Sequence, residues 1–159
     1  MILGMSTLAG LAQLRPGVRR LRASSYDPTG GNRDWWEFQP GQVRTIAELN
    51  GPGCIKHIWL TMGSEDKYMY RRVLLRMFWD GEANPSVETP IGDFFGMGHS
   101  MTRNFVSLPL QMSPQDGRGF NCWFPMPFDS GARIEVLNET EKQVNVYFYV
   151  DYEAYPAGT

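Results

Sequence analysis

Between Val43 and Tyr152 apolar residues return at every second position in one short run after another, and no helical period separates the runs. The clearest is Val144 to Tyr152, where Val144, Val146, Phe148 and Val150 share a face. Val73, Leu75, Met77 and Trp79 repeat the pattern, and Val43, Thr45, Ala47 and Leu49 alternate with Arg44, Ile46 and Glu48. Successive side chains of a strand point to opposite faces, so a period of two describes an element buried on one side. Cys54 to Met62 is apolar enough for a sandwich interior, and Gly51-Pro52-Gly53 before it predicts a hairpin with the preceding strand. Shorter runs lie at Phe105 to Leu110, Phe120 to Phe124, Ala132 to Leu137 and around Val87. About eight strands at this spacing predict an all-β fold, a single antiparallel β-sandwich of jelly-roll type.

A chain of 159 residues suits one domain. The expected division is an N-terminal helical arm over 1–22 and a jelly-roll domain over 23–155. The short helix rests on Ser6 as N-cap and on Leu8, Leu11 and Leu14 along one face, stopped by Pro16-Gly17. A single helical turn is expected within Ser64 to Arg72, and a long ordered loop from Glu82 to Gly98. A net charge of -2 argues against nucleic acid as a partner, because phosphate binding needs clustered cations. The one basic cluster, Arg15, Arg19, Arg20 and Arg22, reads as solvating the start of the fold. No apolar run approaches the roughly 20 residues of a membrane span, and no basic segment precedes an apolar one as in a secretory signal. The expected location is cytoplasmic, or extracellular as part of an assembled filament or shell.

Cys54 and Cys122 lack metal-ligand spacing and read as buried free thiols. Asn138-Glu139-Thr140 matches the glycosylation sequon but reads as a turn between strands. No cofactor is expected and no spacing requires a metal, although the oxygen-rich loop around Asp27 has the ligand type of a calcium site.

Three segments are dense in Gly, Pro, Asn, Asp and aromatic residues: Ser24 to Asn32 followed by Asp34-Trp35-Trp36, then Pro90 to Gly96, and Asn121 to Phe128. Such compositions make shaped loops, and shaped loops present sites. A carboxylate beside glycine and an aromatic ring can accept two sugar hydroxyls while the ring stacks on the apolar sugar face. On that basis Tyr26, Asp27, Asn32, Trp35, Trp36, Asp93, Phe94 and Phe95 are candidate sugar contacts, with Glu88 beside them. The same residue types serve structure equally well: Asp27 and Asn32 as turn caps, Asp93 bonding neighbouring N–H groups, one tryptophan of the pair in the core. Asp151 and Glu153, two apart on a strand, could approach the roughly 5–5.5 Å of a retaining glycosidase pair. Their place at a strand end, with no aromatic loop adjacent in sequence, reads instead as solvated. His57, inside an apolar strand, reads as structural, and His99 on a glycine-rich loop as a possible ligand contact. No catalytic residue is assigned.

Ser25-Tyr26-Asp27-x-Thr29-Gly30-Gly31-Asn32, Trp79-Asp80-Gly81, Pro90-x-Gly92-Asp93-Phe94-Phe95-Gly96 and Phe124-Pro125-Met126-Pro127-Phe128 together resemble the DUF2961 family, whose characterised members are glycoside hydrolases of family 172. The resemblance implies a jelly roll, action on furanosides such as fructofuranosyl or arabinofuranosyl units, and homo-oligomers. Members are typically two tandem jelly rolls assembled as trimers, similar in architecture to double jelly-roll viral capsid proteins. The two catalytic glutamates lie in the second roll, and no positions here receive them. Two functions follow as expectations. One is a carbohydrate-active protein resembling the N-terminal half of such hydrolases, with its site at a subunit interface and a furanoside sugar or glycan as partner. The other is a structural single jelly roll that self-assembles into a ring, tube or capsid-like shell. A trimer or hexamer-like ring is expected in either case. The aromatic surplus of Tyr147, Tyr149, Tyr152, Trp35, Trp36, Phe94, Phe95, Trp123 and Phe128 suits an interface.

Overall fold

The computed structural model describes residues 14–158 and shows two antiparallel sheets packed face to face. The larger sheet contains β1 (Arg19–Ser24), β2 (Trp36–Phe38), β4 (Gly53–Ser64), β7 (Phe105–Val106), β8 (Leu110–Met112), β9 (Phe120–Cys122), β10 (Met126–Phe128) and β12 (Val144–Ala154). The smaller contains β3 (Val43–Asn50), β5 (Val73–Trp79), β6 (Val87–Pro90) and β11 (Gly131–Asn138). The main path of the larger sheet runs β1-β12-β4-β9-β8-β7, with β2 on β12 and β10 on β4; the smaller runs β3-β11-β5-β6. Two single-turn helices, α1 (Met69–Arg72) and α2 (Ile91–Phe94), touch one another beside β5 and β6.

The period of two does what the alternation predicts. Phe38, Ile58, Leu60, Phe120 and Phe148 from the larger sheet meet Leu75, Met77, Ile134 and Val136 from the smaller in one buried core. β12 and β4 form the long central pair, registered from Val144 on Ser64 to Ala154 on Gly53. A bulge between Asp151 and Tyr152 leaves Lys56 of β4 unmatched in that register. Burial pushes the Cys122 thiol up to about 11, and both cysteines are buried outside any disulfide.

The connections differ from expectation in three places. Gly51-Pro52-Gly53 does not close a hairpin: β3 pairs with β11 while β4 pairs with β12, so the turn carries the chain from one sheet to the other. A short turn signal specifies a reversal and not which sheet receives the next strand. Phe105 to Leu110 is not one strand, because Ser107 to Pro109 turns the chain and pairs β7 with β8. The expected helix over Ser6 to Leu14 lies outside the described residues apart from exposed Leu14. Arg19 and Arg22, assigned to the arm, belong to β1, which pairs residue by residue with β12. A strand rich in arginine escapes a hydrophobic reading because it is an edge strand whose outward side is solvated.

Asn138 ends β11 fully buried: its amide donates to the Phe38 and Lys142 carbonyls at 2.9 and 2.8 Å, and Oδ1 accepts from the Thr140 N–H at 2.9 Å. The sequon is therefore a locked turn in the folded chain. No helix among the described residues is long and apolar enough to cross a membrane.

Candidate functional site

The Ser24–Trp36 segment is shaped by its own side chains. Ser25 exchanges backbone and hydroxyl bonds with Phe148, anchoring the loop to β12. Asp27 accepts at Oδ1 from the Thr29 N–H at 2.9 Å and the Thr29 hydroxyl at 2.7 Å, and at Oδ2 from the Arg33 N–H at 3.2 Å. The Thr29 hydroxyl first, then these backbone donors, hold its carboxyl below the usual range. A Cβ on Gly31 would lie 2.7 Å from Asp27 Oδ2, so any side chain there would displace that carboxylate. Asn32 sits at φ 62°, the left-handed region that asparagine tolerates. Asp27 and Asn32 thus shape the turn, and both Asp27 oxygens already accept bonds from it. Tyr26 stands exposed beside them. Trp35 leans on Tyr147 with ring centres 5.8 Å apart, and its indole N–H is buried without a partner among the described residues. Trp36 packs edge-on against Phe148 at 5.1 Å, under the Arg44 guanidinium at 4.2 Å, and belongs to the core margin.

The second segment lies elsewhere. Asp93 on α2 pairs with Arg71 on α1 rather than with neighbouring N–H groups. Phe94 packs against the core at its margin, while Phe95 is fully buried against Phe120 of β9 and offers no ring face to a ligand. Glu88 is engaged by Arg76 at 2.7 Å on the outward side of the smaller sheet. The first segment borders β12 on the side of β1 and β2, whereas α2 sits toward β9 and β7, with β4 between. The structure therefore groups Tyr26, Asp27, Asn32, Trp35 and Trp36 together, and separately Asp93, Phe94 and Phe95, on opposite flanks of one sandwich.

What the sequence reading missed is the outward face of the larger sheet. Its registered strands carry Arg22, Asp151 and His57 in one cross-strand row, and Tyr149, Trp59, Asn121 and Gln111 in the next. Arg22 donates to both Asp151 oxygens at 2.6 and 3.1 Å. His57 lies between Asp151 Oδ2 at 3.2 Å and Asn121 Oδ1 at 3.1 Å, and stacks on Trp123 with centres 5.2 Å apart. Trp59 stacks on Tyr149 at 4.9 Å, and the Arg22 guanidinium covers that tyrosine ring at 4.3 Å. The only sequence signal was that the aromatic residues in β4 and β12 alternate with the buried ones.

Asp151 and Glu153 do point to the same side, but each is claimed by arginine. Desolvation works to raise both carboxyl groups, and the hydrogen bonds from Arg22 to Asp151 and from Arg15 to Glu153 outweigh it, leaving both below their ordinary values. Glu153 is buried under Arg15 and also accepts from the Tyr155 hydroxyl. A glycosidase acid must hold its proton near neutrality, which requires the opposite displacement. This pair is consequently a structural one, and the solvated strand end expected for it is half wrong, because Glu153 is covered.

A comparison with curated proteins finds no match. The model of the family described as GH172 domain-like matches residues 32–149, most of both sheets and both helices. With that match spanning well over half of its length, the chain belongs to the GH172 domain-like family.

Proposed function

We propose that this chain is a carbohydrate-active jelly roll that binds furanosides of the fructofuranosyl or arabinofuranosyl class at a site completed between subunits. The observation that carries the reading is the placement of the two loop segments on opposite flanks of the sandwich. No single copy can bring Tyr26 and Asp93 to one sugar, but a head-to-tail contact sets one flank of a copy against the opposite flank of the next, and such contacts close into rings. The exposed Tyr26 ring on one flank and the Arg71–Asp93 pair on the other then supply a stacking surface and hydroxyl partners. Every carboxyl group of clear displacement, Asp27, Asp80, Asp151 and Glu153, is held low. None of these four suits the acid of a cleavage step, so binding is the part this chain performs itself.

Light scattering of the purified chain, together with calorimetric titration of short fructofuranosyl and arabinofuranosyl saccharides, tests this reading. The expected result is a trimer or hexamer that binds sugar, with affinity reduced at least tenfold in Tyr26→Ala and Asp93→Asn. A monomer at micromolar concentration that binds neither sugar would end it. A second reading, self-assembly as a structural protein, draws on the far edge of the larger sheet, where Val106 and Leu108 are 76% and 97% exposed beside two-residue β7. Ordered tubes or shells in electron micrographs, dispersed by Leu108→Lys, would favour it.

A further inference from the structure

The outward face of the larger sheet has features that the two loop segments lack. Three indole or phenol rings, Trp59 of β4, Tyr149 of β12 and Trp123 just after β9, stand on it among polar side chains drawn from β1, β4, β8, β9 and β12. Among them His57 lies within hydrogen-bond distance of both Asp151 and Asn121, and Arg22 holds Asp151. The arrangement fixes rotamers in advance: each polar group is held by its neighbour and each ring by a stack. A surface ordered before a ligand arrives loses little side-chain entropy on binding.

Some capacity is left over. Asn121 meets His57 Nε2 with one end of its amide at 3.1 Å, and the other end makes no bond to the described residues. Gln111 on β8 donates its amide to Ser113 at 2.6 Å and retains its carbonyl oxygen. The indole N–H groups of Trp59 and Trp123 and the Tyr149 hydroxyl bond to none of the described residues. Trp59 gives one ring face to Tyr149, and Trp123 gives one to His57. Their second faces meet no ring or cation among the described residues.

We infer that this face is a binding platform for a glycan chain lying across the strands, a second carbohydrate site that adjoins the first loop segment where Trp35 leans on Tyr147. It rests on the reading of the chain as carbohydrate-active and adds where an extended ligand is held. Tyr149, Trp59, Asn121 and Gln111 occupy four successive strands. With neighbouring strands about 4.8 Å apart, that row is about 14 Å long, the reach of a short oligosaccharide rather than of one sugar. Rings supply stacking surfaces for apolar sugar faces, and the amides and the tyrosine hydroxyl supply donors and acceptors for hydroxyls.

Polarity decides against a second protein as the occupant. Protein interfaces place their apolar residues at the centre and polar ones at the rim. Here Asp151, His57 and Asn121 lie on β12, β4 and β9 directly beside the rings, and Arg22 of β1 pairs with Asp151, so charged and polar groups sit among the rings rather than around them as a rim. Sealing an ion pair under a protein costs several kcal/mol per ion before any compensation, whereas a hydroxylated ligand replaces the lost water.

The test is calorimetric titration of the intact chain with fructofuranosyl and arabinofuranosyl monosaccharides and tetrasaccharides, and with a pyranose tetrasaccharide, in wild type, Trp59→Ala, Trp123→Ala and the smaller-sheet control Arg76→Ala. The expected result is a furanose tetrasaccharide bound at least tenfold more tightly than the monosaccharide. That gain should be lost in both tryptophan variants and kept in Arg76→Ala, with all variants melting cooperatively. Tetrasaccharide binding undiminished by either tryptophan substitution would overturn the platform while leaving the furanoside reading intact. Tryptophan-dependent binding of the pyranose chain alone would keep the platform and sink the furanoside reading. A third outcome, tryptophan variants that change the oligomer size in light scattering without changing affinity, would reassign the face to contact between copies.

Discussion

The two outward faces of this sandwich obey the same alternation and carry opposite chemistry. On the smaller sheet, Arg133 lies opposite Glu48 and Phe78, and Glu135 opposite Thr45 and Arg76, with Glu88 beyond Arg76. Charges of alternating sign pair off, Arg76 with Glu88 and Arg133 with Glu135, and the Arg133 guanidinium also covers the Phe78 ring at 3.8 Å. On that face these charged side chains answer one another. The larger sheet places rings and amides at the equivalent outward positions, each ring stacked on one neighbour and each amide with one end left without a bond to the described residues. The lesson is that exposure does not mark a functional face. What marks it is bonding capacity that neighbouring side chains leave unspent.

The strongest way to break the comparison is to remove the layer beneath it. Phe148 is fully buried below the row of Tyr147 and Tyr149, so Phe148→Ala should cost about 3–5 kcal/mol in denaturant unfolding. It should also abolish ligand binding through loss of the sheet; a loss under about 1 kcal/mol would mean that the faces do not share one core. Next in size is Glu153, buried beneath Arg15 at the end of β12. Glu153→Ala strands a partly covered guanidinium and should cost about 2–3 kcal/mol, less than a fully buried pair. Thermal melts that coincide with wild type would refute the structural role given to it.

Acid should reveal the same asymmetry. Asp151 and Glu153 are held below their unfolded values, so their contribution is fully present above about pH 4.5 and fades as pH falls through the folded values. Melting temperature should therefore drop on acidification below about pH 4.5, and the drop should be shallower in Glu153→Gln. Equal slopes for the two proteins would remove Glu153 from the account. The smallest effect is expected on the charged face: Arg76→Ala breaks a half-exposed pair and should change stability by less than about 1 kcal/mol. A larger loss there would show that the ion-pair ladder is structural rather than merely solvated.

Much of this architecture was legible in the amino-acid order. The alternation in Val144 to Tyr152 and Val73 to Trp79 predicts strands with one buried side, and β12 and β5 have it. The motif-bearing segments do form shaped loops, with Asp27 and Asn32 as turn-formers and Trp36 at the core. Edge strands were not legible, because Arg19 to Ser24 and Trp36 to Phe38 are stabilised by pairing with β12 rather than by a pattern of their own. Phe95 could not be told from Phe94 by composition, since only the packing on Phe120 decides which ring is covered.

Sequence alone determined which side of each long strand turns inward, since that depends on residues two apart in a stiff, pleated element. It also determined the turns, whose glycine and Asx chemistry is local. Only the tertiary structure decided that β4 lies between β12 and β9, and therefore that Asp151, His57, Asn121 and Arg22 meet. Strand neighbours are chosen by core packing and by pairing between segments far apart along the chain. A constellation drawn from β1, β4, β9 and β12 is consequently a product of the assembled sheet, with no counterpart in the linear spacing of its residues.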